Sequence, residues 1–114
     1  MEFSNKKVGD VAVLEIVGRL DSEASRDLET AVVDLIASGI TKMLMDFGQV
    51  DYINSSGLRV LLMALQQLKR NGGRLHLCDI KDYMGEVFEI SGYNEIFPIY
   101  SSQNEALSAF SGNS

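Results

Sequence analysis

The sequence predicts a single α/β domain over residues 1–114, built on a mixed, mostly parallel sheet with an antiparallel N-terminal strand and about four helices. Its 114 residues and 46% hydrophobic content suit one modest core. After two strand-like segments, helical and strand-like segments alternate to the end of the chain, which predicts parallel strands joined by right-handed crossovers. Only Gly9 and Asp10 separate the first two strands, and so short a turn favours an antiparallel hairpin.

The first three elements are predicted to be this hairpin and a helix. The polar segment 3–8 is the partner of residues 11–20, whose almost continuous apolar and β-branched run suits a strand covered on both faces. A helix follows, with Asp21 or Ser22 as its N-cap and Gly39 at its end. Its apolar residues recur at helical spacing and are Ala24, Leu28, Ala31, Val32, Leu35 and Ile36.

The middle of the chain predicts two more strands with a helix between them. The strands are "KMLMDF", residues 42–47, and "RLHLCD", residues 74–79. The helix ends at residues 71–73, "NGG". Its apolar stripe consists of Leu58, Leu61, Leu62, Leu65 and Leu68. The segment "INSSGLR", residues 53–59, is therefore a junction between a strand and a helix.

The last third predicts a helix, a short strand and a closing helix. The first of these helices ends at residues 91–92, and its inward residues are Met84, Val87, Phe88 and Ile90. Residues 95–100, "EIFPIY", form a last strand whose Pro98 places it at an edge or makes it irregular. Ser102 and Glu105 have capping-box spacing before the closing helix, and residues 111–114 are expected to fray.

Charge and composition limit the classes of partner. A net charge of -6 with scattered basic residues argues against a nucleic-acid surface. No run of about 18 apolar residues is present, and "MEFSNKKVGD" lacks a signal peptide's apolar centre, so we expect a cytoplasmic protein without membrane contact. Cys78, the single cysteine, lies in an apolar strand and is expected to be a buried, reduced thiol.

Two junctions between a strand and a helix carry the candidate site. In an open α/β sheet, sites form at the carboxyl ends of strands. "GRLDSEAS" follows the second strand and "INSSGLR" follows the third. If these strands are neighbours, Asp21 and Ser55 lie on the same rim, beside the free N–H groups of a helix start. N-capping alone would also explain Asp21, and it would explain the triplet "NSS".

The residues do not form a recognisable catalytic site. The motif G-x-S-x-G of many serine hydrolases is absent, and the only histidine, His76, lies inside a predicted strand as a packed or edge residue. "INSSGLR" lacks the glycine spacing and lysine of a P-loop. One histidine and one cysteine are too few for a metal centre. We therefore expect a protein that is not an enzyme and needs no cofactor.

Four separated segments resemble the STAS family, which comprises sulphate-transporter and anti-sigma-factor-antagonist domains. They are "GRLD", "DFGQVDYINSSGLRVLL", "NGGRLHLCDI" and "ISGYNEIFPIY", in the order that the family has them. The resemblance covers nearly the whole chain and is strongest to freestanding bacterial anti-sigma factor antagonists. It implies a STAS-type fold and a regulatory role through protein binding.

The resemblance also implies roles for individual residues. Ser55 matches the serine that a partner kinase phosphorylates, and Ser56 beside it is expected to be a cap. Asp21 matches an acidic residue of the same surface, and Gly57 and Leu58 match the structural end of the motif. Two positions depart from the usual motif, Asp-Ser-Ser/Thr/Ala-Gly-Leu-Gly. The partner-binding residues that the resemblance implies are Asp21, Asn54, Ser55, Ser56, Gly57 and Arg59.

The departures are Asn54 where aspartate is usual and Arg59 where glycine is frequent. Arg59 lies four residues after Ser55, on the same helical face, so it is a candidate counter-ion for a phosphate on that serine. A solvated helix residue or a partner contact would also explain Arg59.

The implied function is an anti-sigma factor antagonist. Its partner would be an anti-sigma factor that is also a serine kinase of the histidine-kinase-like ATPase type. Phosphorylation at Ser55 would switch binding off, and a serine phosphatase would restore it. The alternative is a STAS scaffold or subunit without phosphorylation, which braces a transporter ATPase or a signalling complex through the same surface.

Overall fold

A five-stranded mixed sheet with strand order β1-β2-β3-β4-β5 organises the structure, a computed structural model that describes residues 2–111. β1 is antiparallel to β2, and every other neighbouring pair is parallel, so the predicted α/β class and sheet are confirmed. The strands are β1 (Glu2–Val8), β2 (Val11–Leu20), β3 (Lys42–Ile53), β4 (Arg74–Cys78) and β5 (Ile99–Tyr100). The helices are α1 (Ser22–Ala37), α2 (Ser55–Arg70), α3 (Asp82–Ile90) and α4 (Gln103–Ser111), with a 3-10 turn at Tyr93–Glu95.

The hairpin and the buried strand follow from their residues. Gly9 has a φ of 62° between the paired residues Val8 and Val11, a left-handed conformation that glycine adopts without strain. The first half of β2 is buried on both faces because helices cover the sheet from both sides. α1, α2 and α3 contribute to one large core, whereas α4 covers a smaller one on the opposite face. No helix among residues 2–111 has the length and apolar character that a membrane crossing requires.

Two strands differ from their predicted lengths. β3 continues past residue 47 to Ile53 because Val50 and Ile53 are buried and because its second half pairs with the end of β2, across shifts in register. β5 is only two residues long, since the preceding residues turn and bury Phe97. β5 lies at the edge of the sheet, as Pro98 predicted, and the Pro98 carbonyl accepts a hydrogen bond from the Leu77 N–H at 2.9 Å.

The predicted inward face of α3 is wrong at two of its four positions. Met84 and Phe88 are buried, but Val87 is 38% exposed and Ile90 is 87% exposed. The core needs only one residue per turn from this nine-residue helix, and Phe88 fills that space through an edge-to-face contact with Phe47. Val87 and Ile90 therefore lie on the solvent side.

The capping box predicted before α4 is only half formed. Ser102 Oγ accepts a hydrogen bond from the Glu105 N–H at 3.1 Å, as an N-cap should. The Glu105 carboxylate does not return to Ser102, and accepts instead from the N–H and hydroxyl of Ser101. Fraying was expected over residues 111–114; Ser111 is the last residue of α4, and residues 112–114 lie outside the described residues.

Candidate functional site

The carboxyl ends of β2 and β3 bring the two predicted junctions together. Leu20 and Ile53 are register partners on neighbouring parallel strands, and the Asn54 N–H donates to the Leu20 carbonyl at 3.4 Å. α1 begins at Ser22 and α2 begins at Ser55, so both helices start at the same edge of the sheet. The condition on which the sequence argument depended, that these strands are neighbours, is met.

Asp21 is the N-cap of α1. Its Oδ1 accepts a hydrogen bond from the Ala24 N–H at 3.0 Å, and its backbone carbonyl accepts from the Ser25 hydroxyl at 2.6 Å. Ser25 is buried, so this second bond fixes the start of the helix against the core. Asp21 is half-buried, and one carboxylate oxygen is committed to the helix.

Asn54 is the N-cap of α2, and the expectation that Ser56 caps this helix is wrong. Asn54 Oδ1 accepts from the Gly57 N–H at 3.2 Å, while Nδ2 donates to Ser22 Oγ at 3.4 Å. Ser56 lies two residues after the N-cap, already inside the first turn of α2, and its hydroxyl lies 3.2 Å from that of Ser22. These contacts join the starts of α1 and α2.

Ser55 differs from both of its neighbours. It is the first residue of α2 and is exposed, whereas Asn54 and Ser56 are half-buried. Within residues 2–111, the Ser55 hydroxyl makes no hydrogen bond, while the side chains of Asn54 and Ser56 each do. Of the two adjacent serines, Ser55 therefore presents the hydroxyl that another protein can reach.

Gly57 is buried where α2 crosses the ends of the two strands. A Cβ on this residue would lie 2.8 Å from Ile53 Cγ1 and 3.0 Å from Leu20 Cγ, closer than carbon atoms normally approach. The glycine lets the first turn of α2 sit against the sheet. Gly57 therefore supports the site through packing, which is the structural part that the motif implied.

Two arginines face a groove between α1 and α2. The groove has a volume of about 340 Å³, and Arg26 and Arg59 line it together with Ser22, Ser56 and Glu29. Both arginines are exposed, and neither is in an ion pair with a carboxylate among the described residues. Sequence reasoning singled out Arg59 but missed Arg26, whose only signal was its position one turn after Ser22 on a helix of unknown orientation.

The opposite face of the sheet carries a second polar cluster, at neighbouring positions of three strands. Glu15, Asp46 and Cys78 are register partners on β2, β3 and β4. Gln103 of α4 donates through Nε2 to both carboxylates, at 2.7 Å each, and this hydrogen bond is the main reason that the pKa of Glu15 is lowered. Gln103 thereby ties α4 to the sheet.

Cys78 also lies near Asp79, and ligand atoms of Asp46, Cys78 and Asp79 fall within 4.8 Å of one another. No spacing in the sequence predicted this grouping. Burial, followed by the charges of the two aspartates, raises the pKa of the Cys78 thiol. Cys78 is buried and in no disulfide, as its sequence context predicted.

His76 is on the same side as α4, away from Ser55. It is 2% exposed, stacks on Phe110 with a centroid distance of 3.7 Å, and has Nδ1 2.9 Å from the Ala106 carbonyl. It is the packed histidine that the sequence predicted. Its neighbours on β4, Leu75 and Leu77, point to the core beneath α2, so His76 is not placed to serve as a base for either serine.

Comparisons with known proteins identify a family and several relatives of similar sequence. The family model of the STAS domain matches residues 2–106. BtrV of Bordetella bronchiseptica, named as a candidate anti-sigma factor antagonist, is 36% identical over 110 residues, which cover 96% of this chain and 95% of that protein. An anti-sigma-B factor antagonist of Staphylococcus aureus is 24% identical over 86 residues, covering 75% and 80% of the two chains.

Solved structures share the fold. A candidate anti-sigma factor antagonist from Thermotoga maritima superposes with a TM-score of 0.90 at 25% identity, over 94% of this chain and 92% of that one. The Bacillus protein SpoIIAA in its phosphorylated form gives a TM-score of 0.78 at 23% identity, over 96% and 99%. The order of strands and helices described above is therefore shared with these proteins.

Proposed function

Since the chain belongs to the STAS domain family, we propose that it is an anti-sigma factor antagonist that a partner kinase switches off by phosphorylating Ser55. The partner is an anti-sigma factor with a histidine-kinase-like ATPase fold. Binding of the unmodified protein releases the sigma factor, or another output protein, that the partner held. No chemistry by this chain is required, because the partner supplies the nucleotide and the phosphoryl transfer.

The observation that carries the proposal is the contrast between Ser55 and Ser56. A kinase needs a hydroxyl that extends from the surface, and Ser55 is exposed and free of hydrogen bonds within the described residues. Ser56 is half-buried and engaged with Ser22. The resemblance of "NSSGL" to the family motif independently favours the first serine.

The consequence of phosphorylation is confined to the surface. Phosphoserine carries about -1.5 to -2 charges at neutral pH, and a negative charge on the first turn of a helix is stabilising. The fold of α2 is therefore retained. A partner docked over Asp21, Asn54 and Ser55 must then desolvate a dianion and accept its repulsion from any nearby carboxylate, a cost of several kcal/mol.

The groove between Arg26 and Arg59 gives the partner a cationic contact beside Ser55. An acidic side chain of the partner that enters this groove meets two guanidinium groups without a carboxylate partner among the described residues. A phosphate on Ser55 competes for Arg59, which is four residues along the same helix. Phosphorylation thus adds a charge and also removes a binding group.

Binding of the purified kinase to three forms of the protein tests the proposal. Calorimetry should show tight binding of the unmodified protein and weakened binding of both the phosphorylated protein and Ser55→Asp. Asp21→Ala should also bind more weakly, with circular dichroism unchanged in every variant. Equal affinity before and after phosphorylation would refute the switch and favour the constitutive scaffold, which would use the same surface without modification.

A further inference from the structure

Exposed apolar side chains are concentrated on and after α3. Among the described residues, seven large hydrophobic side chains are exposed, and four of them lie between residues 83 and 96. Those four are Tyr83 (48%), Val87 (38%), Ile90 (87%) and Ile96 (44%). The other three are single valines on separate elements, which is ordinary for a protein surface.

Three of the four form a continuous row, called here the α3 stripe: Tyr83, Val87 and Ile90. Their spacing of i, i+4 and i+7 places them on one face of the helix over a length of about 10 Å. Met84 and Phe88 attach α3 to the core through another face. The side chains of the α3 stripe are therefore not needed to attach this helix to the core.

Acidic residues accompany the α3 stripe along its whole length. Asp82, Glu86 and Glu89 each immediately precede a stripe residue and are exposed, and none is in an ion pair among the described residues. Lys81 is the only lysine or arginine between residues 79 and 96. The surface is thus an apolar row beside a row of negative charge.

We propose that the α3 stripe is a docking site for a basic amphipathic helix of another protein. Apolar side chains spaced at i, i+4 and i+7 suit the apolar face of a second helix, and the acidic row suits lysine or arginine beside that face. A second copy of this chain would bring acidic row against acidic row, and an anionic membrane would be repelled likewise. The site lies on a different helix from Ser55 and does not depend on the phosphorylation switch.

Amide chemical-shift mapping with a synthetic peptide tests this proposal on the intact protein. The probe is a helix of about fifteen residues made of lysine, leucine and alanine, with the leucines on one face. The first control has the same composition but scrambled leucines, and the second has glutamate in place of lysine. We expect saturable shifts confined to residues 81–91 with the probe, and none with either control.

Matched variants separate the stripe from general attraction between opposite charges. Ile90→Ser should lower the affinity for the probe peptide by about tenfold or more. Val33→Ser, which alters a 41% exposed valine on α1, should leave that affinity unchanged. The double variant Glu86→Gln with Glu89→Gln should bind the probe peptide more weakly and with a smaller dependence on salt. The control double variant on α1, Glu23→Gln with Glu29→Gln, should change neither the affinity nor its salt dependence.

Several results would overturn the proposal. Three of them are equal binding of the scrambled peptide, chemical-shift changes centred on α1 and α2, and absence of binding. The fourth is a set of shift changes at the α3 stripe that appears when the protein concentration is raised without peptide, because that result would indicate self-association. All are distinct from a failure of the proposed switch, which concerns phosphate on Ser55.

Discussion

The hydroxyl oxygens of Ser22 and Ser56 lie 3.2 Å apart and join the first turn of α1 to the first turn of α2. This contact engages Ser56 and leaves Ser55, the residue before it, exposed at the start of the same helix. The two adjacent serines therefore have different roles in the structure.

Asn54→Ala should destabilise the protein by about 1 kcal/mol, because the Gly57 N–H loses its capping acceptor. Asn54→Asp keeps an acceptor and adds a negative charge at the helix N-terminus. Its free energy of unfolding should therefore equal that of the wild type or exceed it by about 0.3–1 kcal/mol. Urea denaturation of the three proteins measures both effects. A larger loss for Asn54→Asp than for Asn54→Ala would contradict the capping role.

Gly57→Ala should destabilise the protein by about 1–3 kcal/mol, because the added methyl group meets Ile53 and Leu20 at 3.0 Å or less. Gly85→Ala is the matched control on α3, where an added Cβ meets nothing within 4 Å. That change should stabilise by up to about 1 kcal/mol through helix propensity. If both alanines had the same effect on the urea midpoint, close packing at Gly57 would not be the reason for its glycine.

Stability should fall as the pH drops from about 7 towards 5, because of His76. Burial lowers the pKa of His76 in the folded protein, although its hydrogen bond to Ala106 acts in the opposite direction. The unfolded chain therefore binds the proton first, and the stabilisation present above the unfolded pKa of about 6.5 is lost below it. Carboxylates with lowered pKa, such as Glu15, lose their contribution only at more acidic pH.

The variant His76→Gln isolates this effect. Its free energy of unfolding, from urea titrations at several pH values, should be flatter than that of the wild type between pH 7 and 5. Parallel curves would show that another group causes the pH dependence.

Arg59→Ala should raise the second pKa of a phosphate on Ser55, because a nearby cation favours the dianion. An exposed ion pair at this spacing is worth about 0.2–0.5 kcal/mol, which corresponds to a shift of about 0.1–0.4 pH units. A phosphorus NMR titration measures it. Arg70→Ala is the control, since it removes the same charge from a position about 22 Å along α2 from Ser55. Identical midpoints in the wild type and Arg59→Ala would mean that Arg59 does not contact the phosphate.

Most of the fold could be predicted because each element has its own residue pattern. The apolar run of β2 and the leucine stripe of α2 determine what is buried, and the alternation of elements determines parallel pairing. The ends of elements were harder to predict. β3 continues through a polar stretch because β2 offers backbone partners there, and no local pattern in residues 48–53 reveals that neighbour.

The hydrogen-bond partners of adjacent residues could not be assigned from the sequence. Asn54, Ser55 and Ser56 are all good capping residues, and only the position of α1 shows that Ser56 meets Ser22. Val87 fits an inward face with Met84 and Phe88 until the size of the space beneath α3 is known, whereas Ile90, six residues after Met84, lies on another face of the helix. Arg26 joins Arg59 through the packing of two helices, which no spacing along the chain encodes.

The most direct test of the account is phosphate incorporation into the wild type, Ser55→Ala and Ser56→Ala after incubation with the cognate kinase and ATP, read by intact mass and phosphopeptide mapping. We expect one phosphate on Ser55 in the wild type, none in Ser55→Ala and one in Ser56→Ala, with circular dichroism unchanged in both variants. A phosphate that maps to Ser56, or that persists in Ser55→Ala, would contradict the assignment of the exposed serine as the switch.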